Sequence, residues 1–152
     1  MNVSRKYPQS RLRRTRFTSA IRNLVAENNL TVNDLIQPIF VKEGLDGTES
    51  INSLPGINRY GLNALDEEIE KIQDCKIQAV AIFPVIDPSK KDELGTESLN
   101  EDNLVCEAIR QIKQNSDLAI IADVALDPYT SHGQDGICLL YTSDAADDRS
   151  WV

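Results

Sequence analysis

Long apolar runs are the first thing missing. No stretch of the 152 residues approaches the roughly 20 that cross a bilayer, and the start has no apolar core of a secretory signal. A soluble, cytoplasmic protein with no membrane partner is therefore expected. Cysteine is sparse as well. Cys75, Cys106 and Cys138 form no CxxC pair, and an odd, scattered set fits free thiols in a reducing compartment. Cys75 and Cys106 fall in helical segments and read as small packing residues. Aromatics make up only 5% of the chain, and no interleaved aromatic platform follows the basic residues near the start, which argues against nucleic acid. No internal repeat or linker divides the chain. Its 41% hydrophobic content suffices for one core.

The net charge of −8 is unevenly spread. Residues 1–22 hold seven of the 16 basic side chains (Arg5, Lys6, Arg11, Arg13, Arg14, Arg16 and Arg22) and none of the 24 acidic ones. Such an arm could attract phosphates, but the acidic remainder would repel them. The ordinary reading is a solvated tail.

Along the chain, Thr18-Ser19 can cap a helix to about Asn28, with Ile21, Leu24 and Val25 on one face. A short helical turn at 31–34 leads into a strand at 35–41, where Pro38 is uncomfortable for a central ladder. Residues 42–61 hold Gly44, Gly47, Pro55, Gly56 and Gly61 and read as loop. A helix from about Asn63 to Lys76 turns Leu65, Ile69 and Ile72 inward and Asp66, Glu67, Glu68, Glu70 and Lys71 outward. A strand at 79–85 follows, then a charged loop from Asp87 to Asn100. In that loop Asp87, Lys90, Lys91 and Asp92 look solvated, unlike a Schiff-base lysine, whose pKa must be lowered. A helix at about 101–115 packs Leu104, Val105, Ala108, Ile109 and Ile112. Leu118 to Ala122 is a continuous apolar run, as in a strand of a parallel sheet covered on both faces. Strand, helix, strand, helix, strand makes an α/β parallel series.

The richest stretch comes next, from Asp123 to Gly136. Pro128 cannot extend a ladder, and Gly133 and Gly136 permit a shaped loop at the carboxyl edge of the sheet, where α/β sites form. Asp123, Asp127 and Asp135 would repel one another unless a cation, an amine or a shared proton entered their field. The alternative is that Asp127 and Asp135-Gly136 merely shape turns and only Asp123 points inward. His132, flanked by Gly133, reads more readily as a hydrogen-bonded structural residue than as a base or ligand.

The residues from Asp123 to Gly136 resemble the metal-site segment of the porphobilinogen synthase (5-aminolevulinate dehydratase) family. Arg11-Leu12-Arg13-Arg14-Thr15-Arg16 resembles that family's N-terminal arm, Leu35 to Val41 its first barrel strand, and Ser53-Leu54-Pro55-Gly56 the loop that follows. Ala81 to Pro88 and Lys91-Asp92-Glu93-Leu94-Gly95 resemble its second strand and the next loop. The resemblance is collinear over about residues 9–137. It implies condensation of two 5-aminolevulinate molecules into porphobilinogen with loss of water, in tetrapyrrole (heme) biosynthesis. The implied fold is the N-terminal part of a TIM (β/α)8 barrel with an extended basic arm, since a whole barrel needs roughly 250 residues. The implied organisation is an arm at 1–17, the first βα units at 18–137 and a tail at 138–152. By the same resemblance, Arg11, Arg13, Arg14 and Arg16 belong to an arm that wraps a neighbouring subunit of a homo-oligomer, an octamer in the full-length enzyme.

Members of the family that bind zinc in this loop carry cysteines where Ala125, Asp127 and Asp135 stand here. Carboxylates suit magnesium, so zinc is not expected at this loop, and the metal candidates are Asp127 and Asp135. The resemblance places Asp127 and Asp135 near the second substrate and Asp123 as an inward strand-end carboxylate. The family's two Schiff-base lysines lie on later strands that nothing here matches, so the 152-residue chain is expected to be inactive alone. From Cys138 to Val152 the residues, Trp151 included, resemble the translation of sequencing-adaptor DNA, not the family. Two other classes are a non-catalytic interaction module using the basic arm and a small metal-binding protein using the three aspartates.

Overall fold

The computed structural model describes residues 13–136. Arg11, Cys138, Trp151 and the rest of the tail expected at 138–152 lie outside the described residues. Two units are distinguished, one ending at Thr31 and one beginning at Val32. In the first, a 3-10 turn at Arg14–Arg16 precedes α1 (Ser19–Leu24). Thr18 caps α1 by accepting the Ile21 amide at 3.2 Å, and Arg22 donates to the Arg16 carbonyl at 3.1 Å. The helix stops at Leu24, four residues short of the expected end, and Ile21, Leu24 and Val25 stay exposed. A six-residue helix that buries no face has little to sustain it beyond its cap.

The second unit holds β1 (Ile36–Lys42), β2 (Thr48–Ser50), β3 (Asn58–Tyr60), β4 (Ala79–Val85) and β5 (Ala119–Ala122) in one sheet of order β2-β3-β1-β4-β5. The three expected strands, β1, β4 and β5, run parallel with Ile36 opposite Ala79 and Ala79 opposite Ala119. Their crossovers are α2 (Leu62–Asp74) and α3 (Leu104–Asn115).

Residues 42–61 are not all loop. Thr48–Ser50 pairs antiparallel with Asn58–Tyr60, and β3 joins β1 in parallel at Phe40 and Val41. These three-residue strands are polar and carry no period-two apolar signal. Glu49, opposite Arg59, accepts from its guanidinium at 2.7 Å and from Lys42, and both cations hold its carboxyl below the usual range. Gly61 caps the next helix because a Cβ there would stand 1.9 Å from the Leu45 carbonyl oxygen.

The prolines within the strands sit beyond the reach of a second ladder. At Pro38, β1 pairs with Ala81 of β4, while β3 reaches only Phe40 and Val41. At Pro84, β4 pairs with Val41, while β5 stops opposite Ile82. Each strand has one partner at its proline, which relieves the conflict with a central position.

α2 and α3 cover one face of the sheet. Ile39 and Val41 of β1 and Val80 and Ile82 of β4 meet Leu65, Ile69 and Ile72 of α2 and Leu104, Ala108 and Ile112 of α3. Each large side chain buried this way contributes about 1.5–3 kcal/mol. Asp66 is not simply a solvated charge. Its Oδ1 accepts from Gln111 and Asn115 of α3, both at 2.9 Å, and so ties the helices together. α3 starts at Leu104, not Glu101, because buried Asn103 caps it by accepting the Cys106 amide at 3.0 Å. α2 ends at Asp74, with Cys75 as its cap and Lys76 at φ 60°, a left-handed stop usually given to glycine. Cys75 is exposed and makes no packing residue, whereas Cys106 is half-buried in α3.

The other face has no cover among the described residues. Ile36, Phe83 and Ile121 are 51%, 37% and 47% exposed, and the Phe40 and Phe83 rings lie with centroids 5.6 Å apart. The described chain is thus an open mixed α/β sheet; β5 lies at one end of it.

Candidate functional site

Asp123 follows the last paired residue of β5, Ala122, which lies opposite Ile82. Continuing the strand's alternation places Asp123 on the side of Ile121 and Phe83, the uncovered face. The chain then turns over Leu126, whose carbonyl accepts the amides of Tyr129 and Thr130 at 2.9 and 3.1 Å. Tyr129 anchors this turn in the core, and burial pushes its phenol pKa up. Thr130, 1% exposed, donates through Oγ1 to the Gln134 carbonyl at 3.0 Å and closes the loop on itself.

The loop is also fastened to the segment after β4. Asp92 and Thr130 form a parallel bridge: the Asp92 amide donates to the Tyr129 carbonyl at 3.3 Å, and the Ser131 amide to the Asp92 carbonyl at 2.8 Å. The Asp92 carboxylate accepts the Leu94 and Thr96 amides at 3.0 and 2.9 Å. Bonding from Thr96 is the main reason its pKa falls below the usual value. Gly95 takes φ +64° with Thr130 Cγ2 3.4 Å from where a Cβ would be, so a side chain there would be strained. His132 spans the same seam, with Nε2 3.2 Å from the Glu93 carbonyl oxygen and Nδ1 3.2 Å from the Gln134 amide nitrogen.

Two of the three aspartates meet. The Asp127 amide donates to Asp135 Oδ1 at 3.3 Å. Partial burial, then the Asp135 carboxylate and more weakly Asp123, raise the Asp127 pKa above the ordinary carboxylate value. Asp127 nonetheless remains an exposed residue. The pair therefore offers a cation-seeking spot and a carboxyl easier to protonate than most.

As a metal centre the loop is incomplete. Among the described residues no three His, Cys, Asp or Glu side chains are gathered so as to hold a metal ion. Asp127 and Asp135 supply hard oxygen donors that suit magnesium better than zinc, but among the described residues no third His, Cys, Asp or Glu side chain joins them.

Lys90, after β4, is committed elsewhere. Lys90 pairs with Glu43 and lies 3.4 Å from Glu97. The Glu43 bond raises its pKa, the opposite of what an imine-forming lysine needs. Asp87 accepts the Ser89 amide and hydroxyl at 2.8 and 2.7 Å and caps a 3-10 turn. Sequence reasoning missed the Lys42–Glu49–Arg59 group, because Glu49 and Arg59 fell in the stretch read as loop. A cleft of about 400 Å³ borders Lys42, Glu43, Asp46, Asn63 and Glu107, and another of about 470 Å³ borders Lys90, Asp92, Thr96 and Glu97. Neither includes Asp123, Asp127 or Asp135.

A family model for delta-aminolevulinic acid dehydratase matches residues 9–150. A delta-aminolevulinic acid dehydratase of Chlamydia pneumoniae is 48% identical over 130 residues, covering 85% of this chain and 39% of the relative. One of Bradyrhizobium diazoefficiens is 44% identical over 128 residues, covering 84% and 36%. Among solved structures, delta-aminolevulinic acid dehydratase (porphobilinogen synthase) of Toxoplasma gondii, in complex with the reaction product porphobilinogen, superposes with a TM-score of 0.77 at 36% identity. That match covers 90% of this chain and 39% of the other. The chain thus spans about two-fifths of the length of the relatives it matches.

Proposed function

The chain belongs to the delta-aminolevulinic acid dehydratase family, and from that membership we propose that it is the N-terminal part of a porphobilinogen synthase, a lyase that condenses two 5-aminolevulinate molecules with loss of water. The observation that carries this reading is the meeting of Asp127 and Asp135 in a loop at the carboxyl edge of β5. The substrate's amino group is a cation near neutral pH, and paired carboxylates attract and orient it. A carboxyl whose pKa is raised is also suited to taking up and returning a proton at that nitrogen. Asp123, at the strand end, faces the same space from the uncovered side of the sheet.

The remaining parts of the proposal rest on membership of the family. The two imine-forming lysines and the strands that close a (β/α)8 barrel belong to later chain, so the 152 residues alone do not turn over substrate. The basic residues Arg11, Arg13, Arg14 and Arg16 serve an arm that embraces a neighbouring copy in a cytoplasmic homo-octamer. Magnesium, if the enzyme uses it, has Asp127 and Asp135 as its nearest candidates in this segment. Residues 138–152 read as foreign to the family on their sequence, whereas the family match runs to residue 150. Sequencing the source gene past the codon for Gly136 decides between these two.

In the full-length protein, 5-aminolevulinate is expected to give porphobilinogen. Asp127→Ala is expected to lower kcat/KM by about 100-fold or more, the scale of a lost proton-transfer group. Unchanged turnover in both Asp127→Ala and Asp135→Ala would remove this loop from the substrate site.

A further inference from the structure

His132 stands at the seam between the aspartate loop and the segment after β4, and both of its ring nitrogens are engaged. Nε2 faces the Glu93 carbonyl oxygen, which can only accept, and Nδ1 faces the Gln134 amide, which can only donate. One form of the ring satisfies both partners: neutral, with the proton on Nε2. A proton added at Nδ1 would set N–H against N–H. Gln134 is also the residue whose carbonyl accepts from buried Thr130, and it directly precedes Asp135, which meets Asp127. The Nδ1 bond therefore fixes the backbone immediately before the carboxylate that completes the pair.

We propose that His132 is a positioning residue for the substrate site: neutral, it pins Gln134 and Asp135 so that Asp135 meets Asp127, and its protonation frees that backbone. The proposal rests on the reading of this loop as part of the substrate site. The charged groups on the segments it joins are Lys91, Asp92 and Glu93 on one side and Asp123, Asp127 and Asp135 on the other. Lys90, earlier on the first segment, is held by Glu43 and Glu97. The device requires no contact between imidazole and substrate.

Two measurements test it. In the 152-residue chain, long-range proton–nitrogen NMR at about pH 8, above the ordinary range of an imidazole, is expected to report the Nε2–H tautomer with a Gln134 amide slowed in exchange. The Nδ1–H tautomer, a charged ring, or an unprotected Gln134 amide at that pH overturns the pin. In the full-length protein, His132→Asn keeps a short acceptor for the Gln134 amide and cannot titrate. It is expected to stay within about threefold of the parent kcat/KM at high pH and to hold activity further into acid, while His132→Ala loses about tenfold or more throughout. Coincident acid limbs for the parent and His132→Asn overturn the pH role. A full-length protein that makes no porphobilinogen at any pH defeats the functional reading instead, and the NMR result still decides the pin.

Discussion

The two faces of the sheet differ more than any other two regions of the molecule. Ile39, Val41, Val80 and Ile82, on the helix-covered face, are each at most 1% exposed. Their immediate neighbours in sequence, Phe40 and Phe83, point the other way and, among the described residues, find only each other as aromatic partners. One face is a packed core and the other is apolar surface with no cover among the described residues. An apolar face of this extent is a feature of proteins that have a further layer to place on it. In the proposed enzyme that layer is the remainder of the barrel, and Asp123 looks into the space it would enclose.

The sharpest way to break this contrast is to truncate adjacent residues of β4. In the 152-residue chain, Ile82→Ala is expected to cost about 2–5 kcal/mol, and Phe83→Ala under about 1 kcal/mol, by denaturant titration. In the full-length protein the cost of Phe83→Ala should rise to about 3–5 kcal/mol, as for an aromatic in a closed core. A Phe83 penalty that stays small in the longer chain would sink the barrel proposal. Next in size is Asn103→Ala, which removes the buried cap of α3 and should cost about 1 kcal/mol in the same titration.

The smallest effect belongs to the open edge. The Asp127 pKa is raised in the fold, so the folded state binds its proton more tightly than the unfolded chain does. The ionised carboxyl therefore costs stability once pH has risen above that raised value, and the cost vanishes below the ordinary carboxylate pKa. Asp127→Asn should raise the melting temperature at neutral pH and leave it unchanged in acid. With the side chain near solvent, screening limits the gain to roughly a few tenths of a kcal/mol. A stabilisation that persisted in acid would assign the effect to something other than charge.

What could be read from residues alone follows the same division. The covered face announces itself: Leu65, Ile69 and Ile72 recur at helical spacing, and 79–85 is a strand with the expected bounds. β2 and β3 gave no such signal, because Thr48–Ser50 and Asn58–Tyr60 are held by ladder bonds and by Glu49 between two cations, not by apolar alternation. The end of α2 was overrun by two residues because Lys76 adopts the left-handed turn without a glycine to mark it. In the loop, composition marked Asp127 and Asp135 as candidates. The loop that brings them together is fastened by the Asp92–Thr130 bridge and the His132–Glu93 contact, which join segments about 40 positions apart, and no local pattern encodes those.

The most direct test is an assay of the purified 152-residue chain for porphobilinogen formation from 5-aminolevulinate. No product above a no-protein control is predicted, because in the proposed enzyme the imine-forming lysines belong to later chain. Turnover above that control would contradict it, and would mean that the nucleophiles are already present in these residues.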